Sequence, residues 1–460
     1  MGGPKNALVV GLGRSGRAAA RFLLARGDRV TATDALPLEK LDREAVALGA
    51  GGVRLVCGGH DARDFVAADL VVLSPGVPIT LPQLEAARAR GVPIVSELDL
   101  VADRVGPRAV LITGSNGKTT TTALVAEMLK AAGKDAIACG NYGLPLVDAV
   151  QGDPGGRWYA IEISSFQLET THALRAAAAV LLNVQPDHID RHGSFEAYRA
   201  AKYRVADDRA KGAPLVLGTD DPELTPLVAT ARPPVLQVSA LRRVTAGGFV
   251  EHEELKLAIG GREETLAGVA ELQLPGRHNR VNVLSAAVAL RAAGFPLEPL
   301  RRAALAFTPL PHRLQEVALV RGVRFVDDSK GTNVGAVLEA LVAMRETLAP
   351  GARIFTLLGG RDKDSDFRPL AAALAAQGGI PVTFGEAGPR IADVLEAAGR
   401  VAIRRGALED AVAHAASLAS PGDLVLLSPA CASFDAFTGY AARGDAFVAA
   451  ARALASEIVP

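Results

Sequence analysis

Lys118 and Thr119 stand in the run RAVLITGSNGKTTTTALVAEMLKAAG, where an apolar strand gives way to a glycine-containing turn and then at once to an Ala/Leu-rich helix. Glycines let main-chain N–H groups turn inward around a phosphate, and the helix start adds partial positive charge. Lys118 can then reach the outer phosphates while the Thr119 hydroxyl holds Mg²⁺. Gly114, Ser115, Asn116, Gly117, Lys118, Thr119 and Thr120 therefore form a candidate ATP cradle. The run departs from the strict GxxxxGK[ST] pattern because Ile112 holds the first glycine position. A tight strand-to-helix turn with an exposed lysine is the plainer alternative. It leaves the combination of two glycines, a lysine and a threonine run unexplained.

A second glycine loop, VVGLGRSGRAAARFLLARG, has the Gly11-x-Gly13-x-x-Gly16 spacing of a dinucleotide site, and Asp34 closes the following strand. Its geometry recognises a pyrophosphate and does not demand a nicotinamide. With ATP on residues 114–119, the first loop is free for another phosphate-bearing ligand.

Carboxylates and histidines follow the next apolar runs. In WYAIEISSFQLE, strand alternation puts Glu162 on the face opposite Tyr159, Ile161 and Ile163. A carboxylate ending an apolar strand is costly to bury unless it meets a cation, so Glu162 is a Mg²⁺ candidate, with helix capping or an ion pair as the alternative. In AAAAVLLNVQPDHIDRHGS a strand ends at Asn183, and a polar loop follows with Asp187, His188, Asp190 and His192. His188 gains weight from lying beyond the carboxyl end of a strand. The helix SFEAYRAAKYRVADDRA has Phe195, Tyr198 and Val205 on one stripe that also contains Lys202. Spacing leaves open whether Lys202 snorkels to water or serves an active site.

These groups must be positioned by alternating short apolar runs and helical segments. Up to about residue 105 the runs ALVVGL, RVTATD, VRLV, DLVVLS and VPIVS mark a parallel α/β unit. The pattern restarts at RAVLIT and includes an antiparallel section around residues 240–274. After the Pro-rich joint AFTPLPHR, a third unit has strands VRFVDD, RIFTLLGG, IPVTFG and DLVLLSPA. Polar clusters follow three of them: residues 327–333, 359–363 and 428–433. Together with Lys330, Lys363 and Arg313 they suit a small anionic molecule. The expected domains are 1–105, 106–309 and 310–460.

Composition narrows the class. Lys plus Arg and Asp plus Glu both number 50 in 460 residues, so no bulk attraction to nucleic acid is available. Cys57, Cys139 and Cys431 are dispersed and odd in number, which suits a reducing cytoplasm. The opening residues lack the pattern of a signal peptide, Asn6 breaks a myristoylation motif, and no apolar run is long enough for membrane insertion.

Taken together, GSNGKTTT, EISSFQLE, NVQPDHIDRH, YRAAKYR, LPGRHNRVN, LPHRLQ, VDDSKGTNV, LLGGRDK and LSPACASFD resemble the Mur ligase family, in order and over most of the chain. The resemblance implies three α/β domains: an N-terminal Rossmann-like domain, a central P-loop ATPase-like domain and a C-terminal Rossmann-like domain. It implies a monomeric, cytoplasmic ligase of peptidoglycan synthesis that joins D-glutamate to UDP-N-acetylmuramoyl-L-alanine through an acyl phosphate. It also implies ATP and two Mg²⁺ ions held by Thr119, Glu162, His188 and a carbamylated Lys202. By the same resemblance Asn279, Arg313 and Asp328 bind the nucleotide, while Gly13, Arg14, Ser15, Asp34, Ser74, Gly76 and Asn141 hold the UDP substrate. Lys330, Thr332, Lys363, Ser433 and Tyr440 match the D-glutamate site, Tyr440 standing where related chains have Phe.

A nicotinamide oxidoreductase gives the GKT loop, Glu162 and the third unit nothing to do. A non-enzymatic nucleotide switch would bind ATP without amino-acid-dependent phosphate release. Ligases of the diamino-acid or folylpolyglutamate type share the ATP chemistry, but the DDSKGTN cluster argues against them. Lys118 would meet charge that develops on the transferred phosphoryl group. Lys118→Ala should therefore leave the fold intact and cut kcat by roughly 100-fold or more. Near-normal turnover in the folded variant would remove the ATP-loop assignment.

Overall fold

A computed structural model of the protein describes residues 4–456. Its strands form three sheets, all predominantly parallel, in a three-domain α/β architecture. The chain packs as two units: one runs to Gly268 and resumes over Asn282–Ala304, and the other comprises Val269–Val281 and the chain from Leu305.

The first unit contains two sheets. In the N-terminal one, five parallel strands lie in the order Arg54–Cys57, Arg29–Asp34, Asn6–Val10, Leu70–Leu73, Ile94–Val95. Both faces are covered, so the strands read as unbroken apolar runs. Ala7 and Val9 pack with Leu23 and Leu48, whereas Leu8 and Val10 pack with Phe65 and Leu84. Strand order reverses between Asn6–Val10 and Leu70–Leu73, which opens a crevice where Gly11 and Ser74 meet. The Ser74 hydroxyl donates to Gly11 O at 2.8 Å.

The second sheet has nine strands, ordered Arg262–Gly268, Glu254–Ile259, Gly247–Glu251, Val235–Ser239, Leu215–Gly218, Ala178–Leu181, Ala109–Thr113, Trp158–Glu162, Ala136–Gly140. Pairing is antiparallel only among the first three, within the section where the sequence predicts antiparallel strands. Ala109–Thr113 lies between Trp158–Glu162 and Ala178–Leu181. Three polar segments therefore leave neighbouring carboxyl ends. One core cluster joins Leu111, Ile161 and Leu181 to Ala18 and Phe22 of the first glycine-loop helix, so the two sheets share a core.

The helix predicted over residues 194–210 is shorter. It spans Phe195–Tyr203 and passes into a 3₁₀ turn at Arg204–Ala206. Asp208 O accepts from Ala176 N and Ala210 N donates to Ala176 O, so these residues pair with extended chain and cannot continue a helix. The buried Arg209 guanidinium fixes the exit through Ala206 O and Ala213 O.

In the second unit six strands run in the order Gln315–Val320, Val323–Asp327, Leu424–Ala430, Ile354–Gly359, Gly379–Phe384, Ile403–Arg404, with only the first antiparallel to its neighbour. The three predicted polar clusters thus leave three adjacent strands. Residues 269–281 pack in this unit, where Arg277 and Arg280 pair with Glu339 and Glu346.

The first glycine loop allows a direct test. A Cβ at Gly16 would collide with Gly11 O and lie 2.5 Å from Ser74 Oγ, whereas one at Gly13 would meet nothing within 4 Å. Gly16→Ala should destabilise the fold by about 3 kcal/mol, the upper range of overpacking costs, and Gly13→Ala far less. Urea unfolding of the two variants checks this; equal midpoints would show that the helix does not approach the strand so closely.

Candidate functional site

The phosphate loop turns at Gly114, φ +153°, and Gly117, φ +82°, before the helix Lys118–Ala131. Its shape is held by amide groups of the neighbouring strand exit. Asn183 Oδ1 accepts from Asn116 N at 2.8 Å, and Asn183 Nδ2 donates to Asn116 O at 3.1 Å. Ser115 Oγ lies 2.8 Å from the Tyr198 hydroxyl and accepts from Gln185 N at 2.8 Å. A side chain at Gly117 would strike Asn282 Oδ1, so Asn282 backs the loop and requires glycine there.

Lysines, hydroxyl and carboxylate converge on this loop. Lys118 Nζ donates to Gly114 O and Ser115 O, both at 2.8 Å, and Lys202 Nζ donates to the same Gly114 O at 2.7 Å. Lys202 is buried, with its amine 4.7 Å from the Tyr198 ring centre. Burial first, and then the Lys118 charge, hold its pKa well below the ordinary lysine value against the pull of Asp187 and Glu162. The amine is buried on a main-chain carbonyl and does not reach water, so the snorkelling arrangement is not the one adopted.

Glu162 is 3% exposed, and two neutral donors meet its carboxylate: Thr119 Oγ1 at 2.7 Å and Asn141 Nδ2 at 2.6 Å. A hydroxyl and a carboxylate are hard oxygen ligands, which is the donor set Mg²⁺ takes. Thr120 is buried beside Thr119 in the first helical turn. His188 sits at φ +54°, ahead of the short helix Ile189–His192, with its ring 5.1 Å from Phe166 and Nε2 3.6 Å from Asp187 Oδ2. His192 instead bonds Ser165 and pairs with Glu169, so it acts as a structural residue.

The first glycine loop reaches this centre within the same unit. Arg14 Nη2 donates to Asn141 O at 3.1 Å, and Asn141 N donates to Glu162 O at 2.9 Å. One main-chain segment therefore connects the two loops. Asp34 acts locally, accepting from Leu12 N at 2.7 Å and Leu36 N at 2.9 Å, which fixes the loop. Arg191 Nη2 donates to Val77 O, tying the Ser74–Gly76 turn to the segment that carries His188. Ser15 hydrogen-bonds the buried Glu97, whose Oε1 also accepts from Gln167 Nε2 at 2.9 Å. Asn282, Arg191 and Glu97 carry no functional signal in the sequence, and Tyr198 reads there only as part of an apolar stripe, because each acts through a partner distant along the chain. Only the second asparagine of LPGRHNRVN hints at Asn282.

In the second unit, Asp328 is buried and accepts from Ser428 Oγ at 2.7 Å, while Asp327 accepts from Ser329 N and lies 2.7 Å from His312 Nδ1. Lys330 Nζ sits 4.1 Å from the centre of the Tyr440 ring, a cation–π contact. Ser433 is buried, Thr332 and Lys363 are half-buried, and these residues stand on the loops after the three adjacent strands. Asn279 Nδ2 donates to Pro275 O at 2.7 Å, and Arg313 is close enough to Asp328 to favour its charged form.

The three segments match, in order, a MurD-like Mur ligase N-terminal domain over residues 5–96, a Mur ligase middle domain over 112–290 and a Mur ligase glutamate ligase domain over 312–431. The UDP-N-acetylmuramoylalanine--D-glutamate ligase of Acidobacterium capsulatum is 42% identical, covering 96% of this chain and 95% of that protein. The ligase of the same name from Koribacter versatilis is 39% identical over 98% of both. Among solved structures, a MurF ligase from Thermotoga maritima in complex with ADP superposes with a TM-score of 0.62 at 16% identity, covering 98% of each chain, and so shares the fold.

Asp328 gives a pH test of the second unit. Burial, opposed by Ser428 and Arg313, raises its pKa from 3.8 to about 7. The folded chain thus keeps a proton that the unfolded chain loses at lower pH. The associated stability is fully present below about pH 4 and is lost as pH rises through about 7. Relative to Asp328→Asn, the wild-type protein should lose protection of strand Val323–Asp327 across that window, as read by hydrogen exchange with urea. A pH-independent difference would refute the burial of an ionisable carboxyl there.

Proposed function

The chain belongs to the Mur ligase family, and on that premise we propose that it joins D-glutamate to UDP-N-acetylmuramoyl-L-alanine with cleavage of ATP, in the cytoplasm, as a step of peptidoglycan precursor synthesis. The observation that carries this reading is the hydrogen-bonded set Thr119, Glu162, Asn141 and Arg14, which starts at the residue after Lys118 and links a phosphate loop to a second glycine loop. Residues 1–105 would bind the UDP substrate, 106–309 ATP, and 310–460 the amino acid.

In the proposed reaction a substrate carboxylate oxygen attacks the γ-phosphorus of ATP, forming an acyl phosphate and expelling ADP. The D-glutamate amine then attacks the acyl carbon, loses a proton, and the tetrahedral adduct expels phosphate to leave the amide. Loop N–H groups and Lys118 stabilise charge on the phosphoryl oxygens, which requires Lys118 Nζ to leave the carbonyls of Gly114 and Ser115. Asn141, held at Glu162, orients the acceptor carboxylate, and Arg14 carries the UDP end of the same substrate toward it. Mg²⁺, which Thr119, Glu162, His188 and a Lys202 carbamate would hold, neutralises phosphate charge when bound. Lys330, Lys363, Thr332 and Ser433 receive the two carboxylates of D-glutamate.

Lys202 supports the carbamate through its burial and a pKa lowered by that burial, which favours the unprotonated amine over an ammonium that would repel metal. The amine adds to CO₂ and releases a proton, which gives an anionic oxygen ligand of the kind Mg²⁺ takes. ADP release should require both UDP-N-acetylmuramoyl-L-alanine and D-glutamate; release with a diamino acid instead would overturn the substrate assignment. Activity should fall on CO₂ stripping and return with bicarbonate, and ¹³C-bicarbonate should give a carbamate NMR signal. Lys202→Ala should be nearly inactive, without that signal, and partly rescued by acetate. A fully active Lys202→Ala protein would return Lys202 to a packing role.

A further inference from the structure

Arg443 is fully buried, yet among the described residues its guanidinium bonds to main-chain carbonyls and forms no ion pair. Nη2 donates to Ser329 O and Cys431 O, both at 3.0 Å, while Nη1 donates to Ala432 O at 3.1 Å and Gly359 O at 3.4 Å. Ser329 follows strand Val323–Asp327, Gly359 ends strand Ile354–Gly359, and Cys431 follows strand Leu424–Ala430. One side chain therefore grips the exits of three adjacent strands.

Neighbouring glycines make room for this grip. A Cβ at Gly360 would strike Ala432 O and lie 2.8 Å from Arg443 Nη1, and one at Gly444 would lie 2.6 Å from both Asp327 Oδ2 and Ser329 Oγ. Arg443 belongs to the helix Tyr440–Ser456, whose first residue carries the Lys330 amine over its ring. The first turn of one helix thus fixes the DDSKGT loop twice. A planar fork can reach carbonyls on several sides at once, whereas a lysine ammonium is a compact point donor. Desolvation lowers the Arg443 pKa to about 10, which leaves it charged at neutral pH, with Cys431, Asp435, Asp327 and Asp328 opposing the shift.

We infer that Arg443 is a positioning residue of the amino-acid subsite: by holding the carbonyls of three loops it sets the spacing of Lys330, Thr332, Lys363 and Ser433, and with it the affinity for a dicarboxylic amino acid. The inference rests on the D-glutamate subsite proposed above. A residue needed only for folding would change every kinetic constant or none. A spacer of these loops changes one.

Steady-state kinetics on the full chain separate the cases. Arg443→Lys should raise the KM for D-glutamate roughly 10- to 100-fold, the effect of losing a hydrogen bond from a charged group. The KM for ATP and for the UDP substrate should move by less than about 3-fold. Guanidinium added to Arg443→Ala should partly restore the D-glutamate KM. Should Arg443→Lys fail to fold, Arg443→Gln, which keeps a planar amide donor beside the same carbonyls, should give the same selective change. Lys330→Ala and Lys363→Ala serve as references. If they raise the D-glutamate KM while the Arg443 variant that folds raises none or all of the constants, the positioning role is overturned and the subsite stands. If neither lysine variant affects D-glutamate, the subsite itself falls, and the role of Arg443 falls with it.

Discussion

Two lysine side chains share one carbonyl oxygen, that of Gly114, and the site in the first unit depends on this contact. Two ammonium groups so close together in a buried setting repel, and burial together with the Lys118 charge lowers the Lys202 pKa well below the ordinary lysine value. Lys118, at the mouth of the helix, also bonds Ser115 O, which Lys202 does not. The same geometry that would weaken an ordinary ion pair separates the roles of the two amines.

The carbonyl can serve both because Gly114 lies at φ +153°, turning the chain sharply out of the strand Ala109–Thr113. Flanking strands then bring Glu162 and Asn183 level with the loop, since parallel registers align their carboxyl ends. Glu162 meets the helix through Thr119 and the segment that Arg14 touches through Asn141. The route to the first glycine loop is main chain at Asn141, which is less sensitive to rotamer changes than a chain of side-chain contacts.

In the second unit the organising charge is Arg443, whose partners are carbonyl dipoles. Carbonyls compensate a buried guanidinium without consuming the carboxylates Asp327 and Asp328, which remain engaged with His312 and Ser428. Both units therefore use main-chain oxygen atoms to place a basic side chain.

The sequence by itself determined the strands, the order of the α/β segments, the phosphate loop and most candidate ligands. Apolar runs, glycine spacing and charged residues at strand ends are local patterns, and each follows from what its own segment must bury or turn. The helical stripe at residues 194–210 overstates the helix, because the pairing of residues 208–210 with Ala176 is not encoded in it. Whether Lys202 reaches water is undecidable from sequence for the same reason: snorkelling and burial have identical spacing, and only the packing against Tyr198 and the phosphate loop buries the amine. Arg443 gives no signal, since its partners are carbonyls present at every residue. Tertiary structure alone decided which of them come within 3.4 Å of one guanidinium, by setting three strands side by side.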